Sequence, residues 1–288
     1  MIHKTLFTAN ITDGYSLKNT IGMLKNEIDE ITLIVSKTKM TITFVNRGQY
    51  AIHDLVINAE ELSDYSYDIL NHEEYPITVN TTELFNTTKA IGRKDSLKIY
   101  WLEGYEKLSI QPIKSSKETG RSSASFINII NKKHNKIEMS NEYATTEPSI
   151  KIQNRDFTDI CQQASVLKCN FLEISGCSSY VLFKGILPDE TYGMMSRHTS
   201  QNNKGKSVNN EEREKSTGQL ELNVVKTEDV MKVKIPISTI KTLSKLHTIS
   251  PSGTLLKFSF ANDKPVKIES KIGSYGIYKI YLRDYKCN

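Results

Sequence analysis

Six histidines (His3, His53, His72, His134, His198, His247) and four cysteines (Cys161, Cys169, Cys177, Cys287) are the side chains here best suited to metal binding or nucleophilic chemistry. Neither set is spaced for it. No H-E-x-x-H and no C-x-x-C occurs, so no local run supplies zinc ligands. Cys161, Cys169 and Cys177 fall eight apart, on a helix, at its end and on a strand, and read as buried structural thiols. Carboxylate pairs such as Glu60-Glu61 and Glu73-Glu74 sit at strand ends and read as solvated. Neither G-x-x-x-x-G-K-[ST] nor G-x-G-x-x-G is found, so no phosphate cradle is indicated. The expectation is a protein that is not an enzyme, with no metal and no cofactor. Cations carry a clearer pattern. Lys18 and Lys25 are seven apart, Lys89 and Arg93 four apart, Lys241 and Lys245 four apart. On helices, each spacing places its pair on one face. Such faces suit sequence-independent contacts to a phosphate backbone. One pair alone reads as the wet side of any surface helix.

Four segments have helical periodicity. In 15–30, Leu17, Ile21, Leu24 and Ile28 make one apolar stripe, with Ser16 as its cap. In 81–94 the stripe is Leu84, Thr88 and Ile91, and Gly92 marks its end. In 155–168 it is Phe157, Ile160, Cys161 and Ala164. The fourth helix, 236–248, has proline at its first turn. Between them run short strands, several alternating polar and apolar as a sheet with one wet face does. They cover 31–36, 39–45, 49–57, 63–70, 75–80, 96–103, 105–113 and 123–130. After the connector they cover 148–153, 170–177, 179–187, 191–199, 218–225, 229–235, 254–260, 265–272 and 275–284. Gly104 suits a hairpin turn. Residues 131–147 have no sustained period and read as a linker longer than most loops. Residues 200–217 are almost free of apolar side chains and read as a mobile insertion. The order strand, helix, strands, helix, strands occurs twice, an internal repeat of about 140 residues. Helices are too few to cover both faces of a parallel sheet, so the class is α+β rather than doubly wound α/β.

The composition agrees with two ordinary globular units. The chain has 288 residues, 38% hydrophobic and 25% charged, and a net charge of +5, which permits a polyanionic partner without demanding one. No run approaches the roughly 18 apolar residues of a membrane span, and no secretory leader opens the sequence. Four cysteines are too few for a disulfide framework. The expected setting is intracellular and reducing.

The sequence resembles the sliding clamps of the proliferating cell nuclear antigen (PCNA) family over nearly its whole length. The element order matches, and SLKNTIGMLKNEI is similar to the family's first helix, with Lys18 and Lys25 at its basic positions. Asp263-Lys264-Pro265-Val266, Glu269 to Ile272, Gly276 and Tyr281-Leu282 resemble the family's C-terminal run. The match reads as a divergent member, and the Lys-, Asn- and Ile-rich lexicon suits a large DNA virus or an AT-rich microbe. Its location would be the nucleus or, for a virus, the replication compartment.

The resemblance implies the DNA clamp fold. It implies two similar domains, 1–130 and 148–288, joined by the connector 131–147, each with two helices on antiparallel sheets. It implies a homotrimeric ring around double-stranded DNA, a processivity factor that tethers a DNA polymerase and other replication and repair enzymes and is opened by a clamp loader. DNA contacts would come from Lys18, Lys25, Lys89, Arg93, Lys241 and Lys245. Helix three is the exception, with Gln162 at the family's basic position. A partner-peptide pocket would be lined by Val45, Tyr50, Ile52, Ile137, Met139, Pro265 and Tyr281. It would take a peptide with a glutamine, an aliphatic residue and two aromatics. Here Arg283-Asp284 stand where the family has a small residue and proline, and the connector is basic (Lys132, Lys133, Lys136) where the family is usually acidic. Subunits would join through strands 105–113 and 191–199. The rival reading is a clamp-fold DNA-binding or transcription factor that acts without closing a ring.

Overall fold

The computed structural model describes residues 3–115, 123–134, 137, 149–177, 179–199, 230–261 and 264–284. The expected strand 218–225, the insertion 200–217, Met139 and most of the connector lie outside them. The first half contains β1 (Thr5–Ile11), α1 (Gly14–Leu24), β2 (Glu30–Ser36), β3 (Lys39–Val45), β4 (Ala51–Asn58), β5 (Asp64–Tyr67), β6 (Glu74–Asn80), α2 (Thr81–Thr88), β7 (Ser96–Leu102), β8 (Lys107–Ile113) and β9 (Ser125–Asn128). The second contains β10 (Ser149–Gln153), α3 (Asn154–Val166), β11 (Phe171–Gly176), β12 (Tyr180–Ile186), β13 (Tyr192–Thr199), β14 (Met231–Pro236) and α4 (Ile237–Leu243). It continues through a 3-10 turn (Ser244–Thr248), β15 (Leu255–Ser259), β16 (Val266–Ile272) and β17 (Gly276–Leu282).

The helix starts follow from local chemistry. The Asp13 carboxylate accepts the Ser16 N–H at 3.0 Å and the Ser16 hydroxyl at 2.6 Å. Asp13 is therefore the N-cap of α1, and Ser16 is its donor rather than the cap itself. Asn80 caps α2 by accepting the Glu83 N–H. The ends come earlier than periodicity predicts. Beyond Leu24 the chain folds into overlapping turns and buried Glu27 faces the Asn46 amide, so Ile28 packs on the core from a turn. The hydroxyls of Thr87 and Thr88 bond the Leu84 carbonyl, and α2 stops at Thr88 rather than reaching residue 94. Lys168, in the left-handed region at φ 56°, lies just past α3. Gly104, at φ 78°, turns the chain between β7 and β8 as expected.

All strand pairs are antiparallel. They form a five-stranded sheet β5-β1-β7-β8-β9, an eight-stranded sheet β10-β15-β16-β17-β4-β3-β2-β6, and a four-stranded sheet β13-β12-β11-β14. The order β6-β2-β3-β4 recurs as β14-β11-β12-β13, and β1-β7-β8-β9 recurs as β10-β15-β16-β17. The internal repeat is thus topological. The halves meet where β17 pairs with β4, from Gly276↔Ile57 to Leu282↔Ala51. By the same correspondence, β9 and β13 are the counterparts of β17 and β4, and among the described residues each ends a sheet.

That correspondence corrects one expectation. The strand 105–113 is not a sheet edge: β8 is held between β7 and β9, with β9 covering Lys107 to Ile110. The last strand of the first half is β9. Ile127 anchors it in the core at 1% exposure, while Phe126 points outward at 58%.

The four α-helices of the described residues pack on one core. Leu17, Ile21 and Leu24 of α1, Leu84 of α2, Phe157, Ile160 and Ala164 of α3, and Ile240 and Leu243 of α4 are buried in a single core. Each such Leu, Ile or Phe side chain contributes roughly 1.5–3 kcal/mol by leaving water. Phe157, Phe183 and Phe258 form its aromatic centre in the second half, with centroids 5.4 to 5.7 Å apart.

Candidate nucleic-acid interface and partner groove

The outer faces of the helices form one layer. The Asn19 amide of α1 donates to the Thr248 carbonyl after α4 at 3.0 Å, which joins the two halves. The Thr158 hydroxyl of α3 reaches the Ser244 carbonyl at 3.3 Å. Across α1 and α2, Lys25 Nζ stands 3.9 Å from the Phe85 ring centroid. Lys18 Nζ donates to the Ile91 carbonyl at 2.9 Å and lies 4.8 Å from the Tyr15 ring, over which Arg93 also reaches. Hydrogen bonds from Asn19 and Arg93 pull the Tyr15 phenol below its ordinary value.

Lys18, Lys25, Lys89, Arg93, Lys241 and Lys245 all belong to this layer, but the backbone presents them differently from simple helix faces. Only Lys18 and Lys241 lie inside α-helices. Lys25 and Lys89 cap the C-terminal ends of α1 and α2, where cations offset the helix dipole. Arg93 follows α2 in a turn, and Lys245 sits in the 3-10 turn. Lys89, Arg93, Lys241 and Lys245 are exposed, while Lys18 and Lys25 are half-buried against aromatic rings. On α3 the exposed charges are Arg155, Asp156 and Asp159, so this wall of the layer is net acidic. One cation escaped sequence reasoning because it comes from beyond a strand. Lys114, just past β8, donates to the Ala90 carbonyl at 3.1 Å and the Asp95 carboxylate at 2.8 Å. The Lys114 ammonium and the Gly92 N–H hold the Asp95 carboxyl below its usual value.

The opposite face carries a groove at the β3–β4 turn. Val45, Asn46, Arg47, Gln49, Tyr50, Ile52 and Arg283 line an open depression of about 510 Å³. The turn is closed by the Asn46 amide oxygen, which accepts from the Tyr50 and Ala51 N–H groups. Gly48 is required there, because a Cβ would stand 2.0 Å from the Tyr50 ring. Tyr50 is mostly buried, with its phenol against the Thr239 hydroxyl of α4. Val45, 37% exposed, also borders a second depression of about 290 Å³ with Phe44, Ile28, Lys132, Lys133, His134 and Ile137. The first connector residues are pinned beside it by Ile130 N–H to the Thr78 carbonyl and by Lys132 to Glu30.

Two expected pocket residues line neither depression. Tyr281 sits in the β17 ladder opposite Ile52 and Lys267, on the same face as Ile52, but is covered there at 3% exposure. Pro265 is half-buried and lines neither depression. Arg283 takes the rim, because its N–H extends the β17–β4 ladder by bonding the Tyr50 carbonyl at 2.8 Å.

No family model and no curated protein matches this sequence. Solved structures do. The crystal structure of proliferating cellular nuclear antigen from Entamoeba histolytica matches with a TM-score of 0.71 and 13% identity, over 97% of this chain and 98% of that one. A PCNA2–PCNA3 complex from Sulfolobus tokodaii matches with a TM-score of 0.70 and 14% identity, over 96% and 98%. The chain has the DNA clamp fold. Within this fold, among the described residues, no group of three or more His, Cys, Asp or Glu is placed to hold a metal ion. Among the same residues, no helix is long and apolar enough to cross a membrane. Cys161, Cys169 and Cys177 are free thiols, and burial pushes the Cys161 thiol well above its usual value.

Proposed function

We propose that this protein is a sliding clamp: a homotrimer that encircles double-stranded DNA, carries no catalytic site, and tethers a DNA polymerase and other clamp-binding enzymes in a reducing compartment. The observation that carries the reading is the pair of sheet ends left by the repeat. β17 and β4 join the halves, and among the described residues their counterparts β9 and β13 end the five- and four-stranded sheets. A second copy repeats the same antiparallel junction by laying its β13 on β9. That contact is head-to-tail, so it closes a ring when the rotation fits. The side chains favour it. Phe126 on β9 is 58% exposed, and Tyr192 and Met195 on β13 are 55% and 60% exposed. The other edges among the described residues carry charge or proline, β5 Asp64, β6 Glu74 and Pro76, β10 Lys151, β14 Lys232, Lys234 and Pro236.

The helices of each subunit then face the hole. Lys18, Lys25, Lys89, Arg93, Lys241 and Lys245 supply a phosphate-seeking, sequence-independent lining, with α3 as its least positive wall. A ring holds on by topology and leaves its outer face for tethering, which raises the effective concentration of the tethered enzyme. The groove at Val45, Tyr50 and Ile52, with Ile137 beside it, is the tethering site.

The test is mass in solution with a topological assay. Wild-type protein at micromolar concentration should weigh as three chains of 32.7 kDa. Once loaded by a clamp loader, it should stay on closed circular DNA and leave when the circle is cut. Phe126→Asp and Met195→Asp should each give single chains with unchanged circular dichroism. A single chain at every concentration, binding linear and circular DNA alike, rules out the ring.

A further inference from the structure

We infer that the groove selects partner segments whose apolar anchors are flanked by Asp and Glu. This rests on the groove being the tethering site and adds the chemistry of its occupant. Val45 borders both depressions and so places their apolar side chains next to one another. Ile52 and Tyr50 lie on one side of Val45, Phe44 and Ile137 on the other. The rim carries cations at both ends, and one acid, Glu30, also lines the second depression. Arg47 and Arg283 stand over the first depression, Lys132 and Lys133 over the second.

Two of these four are engaged by neighbouring acids. Arg47 pairs with Asp29, and Lys132 with Glu30 at 3.0 Å. Among the described residues, no acidic side chain lies within ion-pair distance of Lys133 or Arg283. The nearest acid to Arg283 in sequence, Asp284, instead accepts the Lys234 N–H of β14 at 2.8 Å. Both unmatched cations are exposed. A peptide lying along the groove therefore passes a cation at each end. Acidic flanks meet complementary charge there, and basic flanks meet like charge.

The experiment uses the full-length protein and two fluorescent peptides. Both carry a glutamine, a leucine and two phenylalanines at the same spacing. One has Asp-Glu at each end, the other Lys-Arg. At low salt the acidic peptide should bind about tenfold more tightly. The preference should fade near 1 M salt, where the Debye length is about 3 Å. Val45→Asp should abolish binding of both, and Arg283→Glu should remove or invert the preference. The Arg283 change alters only an exposed side chain, and an unchanged urea midpoint checks the fold. Equal affinities, or tighter binding of the basic peptide, with both still blocked by Val45→Asp, overturn the flank assignment and leave the groove as a docking site. If neither peptide binds, or binding survives Val45→Asp, the tethering site lies elsewhere and both readings fall.

Discussion

Acidification should weaken the junction between the halves through one histidine. His53 lies on β4, fully buried, at the register position opposite Ile280 of β17. Its ring stacks on Phe44 at 4.7 Å, and its Nδ1 is 2.6 Å from the Tyr278 phenol oxygen. Among the described residues, its Nε2 has no hydrogen-bond partner. Burial drives the imidazole down to about 3, and burial likewise keeps the Tyr278 phenol protonated. The unfolded chain takes up a proton near pH 6.5, and the folded chain does so only near pH 3. Between those values the unfolded state binds more protons, so stability rises with pH and falls on acidification. With about 1.36 kcal/mol per pH unit, acidification from pH 7 to 5 removes about 2 kcal/mol through His53 alone. Approaching pH 3 the loss from this group is about 4–5 kcal/mol. Urea unfolding of wild type and His53→Asn, followed by circular dichroism at both pH values, isolates this contribution. The variant has a lower baseline, since it opens a cavity, but its loss between pH 7 and 5 should be smaller by about 2 kcal/mol. Equal losses in the two proteins would refute the assignment of the acid sensitivity to His53.

Two further outcomes are expected. Lys25→Glu combined with Lys245→Glu should flatten the dependence of DNA affinity on salt by about 0.9 in log–log slope for each phosphate no longer neutralised. The assembled mass should not change, and an unaltered slope would place DNA on another surface. Asp13→Ala should cost about 1 kcal/mol by removing the cap of α1. A urea midpoint indistinguishable from wild type would show that water replaces the Ser16 bonds to Asp13 at no cost.

Local structure was largely legible where the physics is local. The stripes Leu17-Ile21-Leu24 and Phe157-Ile160-Cys161-Ala164 place two helices correctly, because burial repeats with the helical turn. Alternation in β4, buried at every second residue, marks a strand with one dry face. Helix ends were less legible. Periodicity continues through Ile28 and Ile91, but the turns after Leu24 and the hydroxyls of Thr87 and Thr88 end the ladders sooner. The groove was half legible. Val45, Tyr50 and Ile52 are on it, and Ile137 is beside it. Tyr281 has the right residue type on a neighbouring strand and shares the face of Ile52 in the β17–β4 register, yet it is covered there, at 3% exposure, and lines neither depression.

By itself, the sequence determined the α+β class, the repeated element order, the faces of most helices and strands, and the lack of any recognised catalytic motif. Those properties follow from spacing, which a linear chain carries in full. Only the tertiary structure decided which strands end the sheets, because pairing joins residues far apart in sequence. It placed β9 beyond β8, moved the proposed subunit junction from 105–113 to Ser125–Asn128, and made β17 and β4 the internal copy of that junction. It also decided which cations are engaged by neighbouring acids, as with Lys114 on Asp95, and which, among the described residues, are not, as with Lys133 and Arg283. Charge is written in the sequence, but whether it is available depends on what the fold puts beside it.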